Sequence, residues 1–484
     1  MFLGIDIGTS SVKAVLVDEG GAVVDQASAP LPISRPHPGW SEQNPADWWE
    51  ATNTAVVSLS AKLRHGVKAV GLSGQMHGAT LLDAKDKALR PAILWNDGRS
   101  EAECGELEAA EPKSRKITGN IAMPGFTAPK LVWVRKHEPE IFAQTKTVLL
   151  PKDYVRLRMT GEKATDLSDA AGTLWVDVAK RKWSGAMLAA TGLDESHMPK
   201  LCEGPDQTGK LRAELAEAWG MQRVPVVAGG GDNAAGAVGV GVIDPGDAFL
   251  SLGTSGVLFL AGSAFLPNPE RAVHAFCHAL PNRWHQMTVM LSAASCVDWA
   301  AQASGCADAG ALLAKVEARG RLDGTEVFLP YLSGERTPHN DPHARGVLFG
   351  INHDTDAGAI GQAVLEGVAF GFADGLDALI EAGATVGQIS VIGGGARSAW
   401  WGRVIAAALG RPLAYRDGSE VGPAYGAARL ARLGVTGESV EDVCAPPPVR
   451  AVIEPDDRDI ERLAGKRVQF ARLYQDLRQR FRGG

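Results

Sequence analysis

The sequence predicts an α/β fold built as two related halves, and three observations predict it. A strand, a Gly-Thr-Ser turn and a second strand stand near the N-terminus, as Gly4-Ile5-Asp6-Ile7-Gly8-Thr9-Ser10-Ser11-Val12-Lys13-Ala14-Val15-Leu16-Val17. The pattern returns past the midpoint, as Ala248-Phe249-Leu250-Ser251-Leu252-Gly253-Thr254-Ser255-Gly256-Val257-Leu258-Phe259-Leu260. Each reads as a β-hairpin, and a matched pair in one chain is stronger evidence than either alone. Lastly, a strand, a glycine run and a helix follow one another around Gly229-Gly230-Gly231 and again around Gly393-Gly394-Gly395. At 484 residues the chain exceeds what one core usually organises, and each half is long enough to bury its own.

Gly-Thr-Ser turns aim several backbone N–H groups and two hydroxyls at one point, which suits phosphate oxygens. Two of them predict a nucleotide phosphate chain held between the halves. The formal charge of −7 argues against nucleic acid or an anionic membrane as the main partner. No apolar stretch is long enough to span a bilayer. The N-terminus enters a strand at once, so no signal peptide is expected and the cytoplasm is the expected compartment. The six cysteines have no paired spacing, as for reduced thiols.

In chain order, the first hairpin leads to a proline-broken loop at 34–43, and a helix then starts with Asn44 as cap, Pro45 at its first position and Asp47 in its first turn. Cap residue, proline and acid each favour a helix N-terminus. Trp48 and Trp49 lie on that helix, where packing is their expected role. A strand over 68–72 ends in Ser73-Gly74-Gln75-Met76-His77-Gly78, a glycine-bounded loop fit to wall a pocket. Residues 91–95 form another strand that delivers Asn96, Asp97 and Arg99 to its end. Asp97 and Arg99 either pair with each other or orient a polyhydroxy ligand. Pro151-Lys152-Asp153-Tyr154 opens a helix, and residues 165–173 read as a polar, small-residue turn at a cleft edge.

The central stretch Val224-Pro225-Val226-Val227-Ala228-Gly229-Gly230-Gly231-Asp232-Asn233 is a buried strand and a glycine turn entering a helix. Asp232 is the first charge on that loop. The helix dipole should keep its carboxylate ionised near neutral pH, ready to take a proton; the plainer reading is an N-cap aspartate. Gly204-Pro205-Asp206-Gln207-Thr208-Gly209-Lys210-Leu211 approaches a P-loop, but Leu211 stands where a hydroxyl must meet magnesium and no strand is expected before it. His274-Ala275-Phe276-Cys277-His278 alternates like a strand, which parts Cys277 from the two histidines and removes zinc. In the second half, helices are expected over 292–302 and 357–383, and strands over 327–331 and 388–392. The loop Gly393-Gly394-Gly395-Ala396-Arg397-Ser398 then offers an approachable surface for adenine and ribose. Val421-Gly422-Pro423-Ala424-Tyr425-Gly426 opens a small-residue helix that mirrors 232–239, so the two are expected to cross as a hinge pair. A charged amphipathic helix closes the chain from Asp456.

Together the two hairpins, the two glycine loops and the two small-residue helices resemble the actin/hexokinase/heat-shock ATPase superfamily. Within it, Gly125-Phe126-Thr127-Ala128-Pro129-Lys130-Leu131-Val132-Trp133-Val134-Arg135-Lys136-His137 and Gly39-Trp40-Ser41-Glu42-Gln43-Asn44-Pro45 resemble the FGGY family of carbohydrate kinases. Gly74-Gln75-Met76-His77-Gly78, Trp95-Asn96-Asp97-Gly98-Arg99 and Tyr331-Leu332-Ser333-Gly334-Glu335-Arg336-Thr337-Pro338-His339 are similar to the bacterial pentulose kinases of that family. The resemblance implies two ribonuclease H-like domains, 1–242 and 243–484, with a cleft between them. It implies ATP and Mg2+ as cofactors, D-xylulose as the sugar phosphorylated, and a homodimer. Asp232 would be the general base. Met76, His77 and Asn233 would hold the sugar, and Asp6, with Asp232, would hold magnesium through water. Thr9, Ser10, Lys13, Gly253 and Thr254 would meet the phosphates, and Gly394, Gly395 and Ser398 the nucleoside. Gluconate, ribulose, fuculose and glycerol kinases share the pattern, and an ATPase switch would share the hairpins. A sugar sensor would lack Asp6.

Overall fold

A computed structural model describes residues 1–322, 324–417 and 422–483. Both predicted hairpins form. Phe2–Ile7 pairs antiparallel with Ser11–Val17, which puts Lys13 opposite Asp6, and Ala248–Leu252 pairs likewise with Gly256–Gly262, which puts Val257 opposite Ser251. On one side each hairpin gains an antiparallel strand, Val23–Pro30 in the first half and Trp284–Met290 in the second. On the other side it gains a parallel one, Ala69–Gly74 and Ile389–Ile392. The halves therefore repeat one mixed-sheet topology, and each sheet grows to seven strands. The repeat is not chemically symmetric: the place of Asp6 in the first hairpin is taken by Ser251 in the second.

The small-residue helices cross as their composition predicts. They are Asp232–Val240 and Gly422–Thr436; Val421, with which the second was expected to open, lies outside the described residues. A Cβ on Gly426 would sit 1.7 Å from the Ala235 carbonyl oxygen, so only glycine lets these backbones touch. The helix Gly422–Thr436 also lies on the first sheet, where a Cβ on Gly4 or Gly71 would meet the carbonyl oxygen of Ala424 or Ala427 at 1.9 Å. The predicted helix start at Asn44 is borne out, with Asn44 accepting from Ala46 N and Pro45 leading Pro45–Ser58. Trp48 is fully buried on it.

Three expectations change. Residues 165–173 are not a turn region but a buried strand and short helix, Ala164–Asp166 and Leu167–Ala171. A strand, Lys200–Cys202, does precede Gly204, yet Gln207–Lys210 is itself a strand and no phosphate loop forms. The strands expected over 91–95 and 327–331 shrink to Ala92–Ile93 and Val327–Leu329. The charged helix expected from Asp456 is borne out as Asp457–Phe481, and it is anchored in the second half. Lys466 pairs with Glu366 at 2.5 Å and Tyr474 Oη donates to Asp341 at 3.0 Å. Among the described residues no helix is long and apolar enough to cross a membrane, and all six cysteines are unpaired.

Candidate active site

A cavity of about 250 Å³ lies where the halves meet. The first half contributes Met76, His77, Trp95, Phe126, Asp232 and Asn233 to its wall, and the second contributes Ser255, Val257, His274, Phe276 and Arg336. Residues expected to hold a ligand thus come together from distant stretches of chain, and the wall also holds aromatic and basic groups the sequence did not single out as ligand contacts.

Asp232 is the first residue of its helix, and the capping position belongs to Gly231. The N-cap reading is therefore set aside. Its Oδ1 accepts from Asn233 N at 2.7 Å and from Asn233 Nδ2 at 2.9 Å, neither bond engaging Oδ2. The helix dipole was expected to hold this carboxyl low, but desolvation outweighs it. Burial pushes Asp232 up to about 6, against the pull of the two Asn233 bonds, so it is still mostly ionised at neutral pH. The loop before it is held from below. Arg156 Nη1 donates to Val227 O at 2.6 Å, Arg156 Nη2 donates to Ala228 O, and Gly231 N donates to Ser168 Oγ at 3.1 Å. Gly229 turns at a φ of +82°, where a Cβ would lie 1.9 Å from Leu72 O.

Asp6, next to last in the first hairpin strand, lies within the electrostatic reach of Asp232. Burial first, and the Asp232 charge second, push Asp6 up to about 7. Its Oδ1 is buried without a hydrogen-bond partner, an arrangement that costs free energy unless something cationic fills it. Two neighbouring carboxylates with an orphaned oxygen suit a divalent cation. No group of three or more metal-ligating side chains exists among the described residues, so such an ion would take most of its ligands from water and phosphate.

The hairpin turns differ in how free they are. Thr9 Oγ1 donates to Gln75 Oε1 at 3.2 Å and accepts from Trp95 Nε1 at 3.0 Å, tying the first turn to the pocket loop. Ser10 is exposed beside it. In the second turn the Gly253 and Thr254 carbonyls accept from Ala294 N and Ala293 N, both at 2.9 Å, and the Thr254 side chain is exposed. Gly394 and Gly395 form a single 3₁₀ turn against that hairpin, a Cβ on Gly395 lying 2.8 Å from Leu252 Cβ. Ser398 is committed elsewhere: its hydroxyl accepts from Trp401 N at 3.2 Å and donates to Glu317 at 3.3 Å.

His77 has one tautomer available. Its Nδ1 lies 2.7 Å from the Gly172 carbonyl oxygen, which can only accept, so Nδ1 carries the proton and Nε2 is an acceptor. Burial holds the ring neutral, its pKa lowered to about 3. Lys130 Nζ fixes the loop by donating to His77 O at 2.9 Å and Gly125 O at 2.7 Å. Asp97 and Arg99 stand outside the cavity and pair with each other at 2.7 Å, which decides between their two readings. Arg99 also pairs with Glu42 at 2.7 Å and lies 3.5 Å from the Trp40 ring centroid. His274 belongs to the cavity wall.

The model of the FGGY family of carbohydrate kinases matches residues 1–239 as its N-terminal domain and residues 248–434 as its C-terminal domain. The chain belongs to the FGGY family of carbohydrate kinases. A xylulose kinase of Escherichia coli K12 is 55% identical over 479 residues, 99% of each chain. One from Bacillus subtilis 168 is 38% identical over 89% of this chain and 88% of its own. The crystal structure of a kinase from Brucella ovis, described as a xyloylose kinase, superposes with a TM-score of 0.96 at 51% identity over 99% of each chain. This carbohydrate kinase therefore has the two-domain, actin-like α/β fold that the paired hairpins predict, and as a member of its family it uses ATP.

Proposed function

We propose that this kinase transfers the γ-phosphoryl group of ATP to the terminal hydroxyl of D-xylulose, giving D-xylulose 5-phosphate. One observation carries the chemistry: Asp232 stands in a cavity shared by both halves, in reach of Asp6 and the first phosphate-type hairpin. The choice of sugar is supported by the full-length likeness to proteins named as xylulose kinases.

Asp232 takes the hydroxyl proton as the sugar oxygen attacks phosphorus, while Asn233, Met76 and the neutral His77 orient the sugar. Nε2 of His77 accepts from a sugar hydroxyl. Lys13, Ser10, Gly253 and Thr254 neutralise and position the phosphates, and Thr9 joins them when its hydroxyl proton turns from Gln75 Oε1 to a phosphate oxygen. Gly394 and Gly395 take the nucleoside, with Ser398 shaping that surface as the cap of the helix Ala399–Leu409. Asp6, with Asp232, would hold magnesium through water; the bound ion would offset phosphate charge. Phosphoryl transfer asks the protein mainly for alignment and charge neutralisation. The working units are 1–242 and 243–484, hinged at the crossing of Asp232–Val240 with Gly422–Thr436, in a cytoplasmic homodimer.

Coupled ADP release across ketoses and polyols tests this reading. Turnover should rise strongly with D-xylulose and vanish when magnesium is chelated. Equal turnover with and without every sugar would leave only an ATPase switch, and a strong preference for gluconate or glycerol would replace the substrate. The pH profile adds a second expectation. Both carboxyls act ionised, and both are raised, to about 6 and about 7. Protonation on acidification therefore removes activity: kcat/KM should begin to fall below pH ~7 and fall more steeply below pH ~6. A profile flat down to pH ~5 would show that neither carboxyl is shifted as its burial requires.

A further inference from the structure

Arg336 lies in the second half on the loop from Leu332 to His339, and its side chain lines the cavity. The loop is fixed beside it: Thr337 N donates to Val289 O at 3.1 Å, and Thr337 Oγ1 donates to Ala272 O at 3.0 Å. Glu335 is locked too, accepting from Leu291 N at 3.0 Å and from Arg336 N at 2.7 Å. Burial pushes Glu335 up to about 8, so at neutral pH it is largely protonated and gives Arg336 little countercharge. Among the described residues the guanidinium has neither an ion pair nor a hydrogen bond. A cation placed in a largely apolar cavity without a partner is costly, and a ligand oxygen is the natural relief.

Its place along the cavity follows from contacts. Gly231, next to Asp232, abuts Met76, where a Cβ would meet Cγ at 3.0 Å. His77 follows Met76 and packs edge-on against Phe126 with centroids 4.9 Å apart, and Phe126 packs on His274 at 5.5 Å. His274 is two residues beyond Ala272, whose carbonyl holds Thr337. The run of contacts from Asp232 to Arg336 thus passes through Met76, His77, Phe126 and His274. The charges agree, since Arg336 depresses the basicity of His77 and His274, whereas Asp232 responds to burial and Asn233.

We propose that Arg336 binds the carbonyl end of the sugar and makes the kinase prefer ketoses over polyols. The inference rests on the reading above, in which the reacting hydroxyl lies at Asp232. A five-carbon ketose laid along the cavity then brings its C2 carbonyl and C1 hydroxyl to Arg336. The guanidinium fork offers donors to two adjacent oxygens and accepts from none. A carbonyl oxygen is a pure acceptor and fits; a pentitol presents a tetrahedral hydroxyl there instead.

The test is steady-state kinetics of wild type, R336M and R336K with D-xylulose, and with xylitol and D-arabinitol as alternative substrates or competitive inhibitors. In R336M, KM for D-xylulose should rise about 10- to 100-fold, the loss of a charged hydrogen bond, with kcat changing less than KM. Pentitol binding should change little, so the wild-type preference for the ketose collapses; R336K should fall between. An unchanged KM for D-xylulose, or an equal loss for ketose and pentitols, would overturn the proposal. Thermal melting checks folding, and if R336M does not fold, R336K decides: an unaltered ketose preference there overturns it. Wild type that ignores D-xylulose defeats the substrate reading itself, and shows this before any variant is made.

Discussion

Asp232→Asn should leave a folded protein that binds ATP and scarcely transfers phosphate. The amide keeps the size and one acceptor oxygen of the carboxylate but cannot take the hydroxyl proton. Removing a general base costs about a hundred- to ten-thousand-fold in rate, and kcat should fall that far. Nucleotide affinity should hold, because the phosphates rest on the hairpin turns and a carboxylate raised to about 6 has left the cleft. The structure removes one alternative in advance: Gly231, not Asp232, caps the helix, so the variant loses no cap. Melting temperature, ATP binding and D-xylulose-dependent ADP release on one preparation make the measurement. A near-normal kcat would dismiss Asp232 as the base.

The hairpins and the position of Asp232 were legible because turn chemistry and strand-to-helix junctions are written in consecutive residues. The protonation of Asp232 was not. Its shift comes from burial in a cavity walled by both halves, and no local pattern records that cover. The same holds for Trp95, whose indole N–H on Thr9 joins residues 86 apart in sequence. Ser398 shows the converse, a glycine-loop residue whose hydroxyl turned out to serve a helix cap and Glu317. The helix Gly422–Thr436 was read correctly as close-packing. That it lies on the first sheet required knowing that Gly4 and Gly71 face it.

Arg156→Met should unfold the first half far more easily and slacken the loop that carries Asp232. Polar small residues over 165–173 look like surface from their composition, yet Asp166, Ser168 and Asp169 are fully buried. They are tolerated because Lys152 Nζ reaches Asp153 at 2.7 Å, Asp166 at 2.9 Å and Asp169 at 3.0 Å. Arg156 adds the second positive charge, 3.7 Å from Asp153, and donates to four oxygens, those of Ala164, Val227, Ala228 and the Thr208 hydroxyl. Methionine approximates the aliphatic stem but removes those four bonds and leaves the three aspartates facing a single lysine. Removing one member of a buried charged network costs about 3–5 kcal/mol, a large share of a typical domain's stability. Because two of the freed carbonyls, Val227 and Ala228, precede the Gly229 turn, kcat should also drop while ATP affinity at the hairpins is kept. Urea unfolding of wild type and R156M, with kcat measured well below the transition, separates the two effects. A loss under about 1 kcal/mol would show that water or rearranged side chains can take the place of the guanidinium, and that Asp232 is held without it.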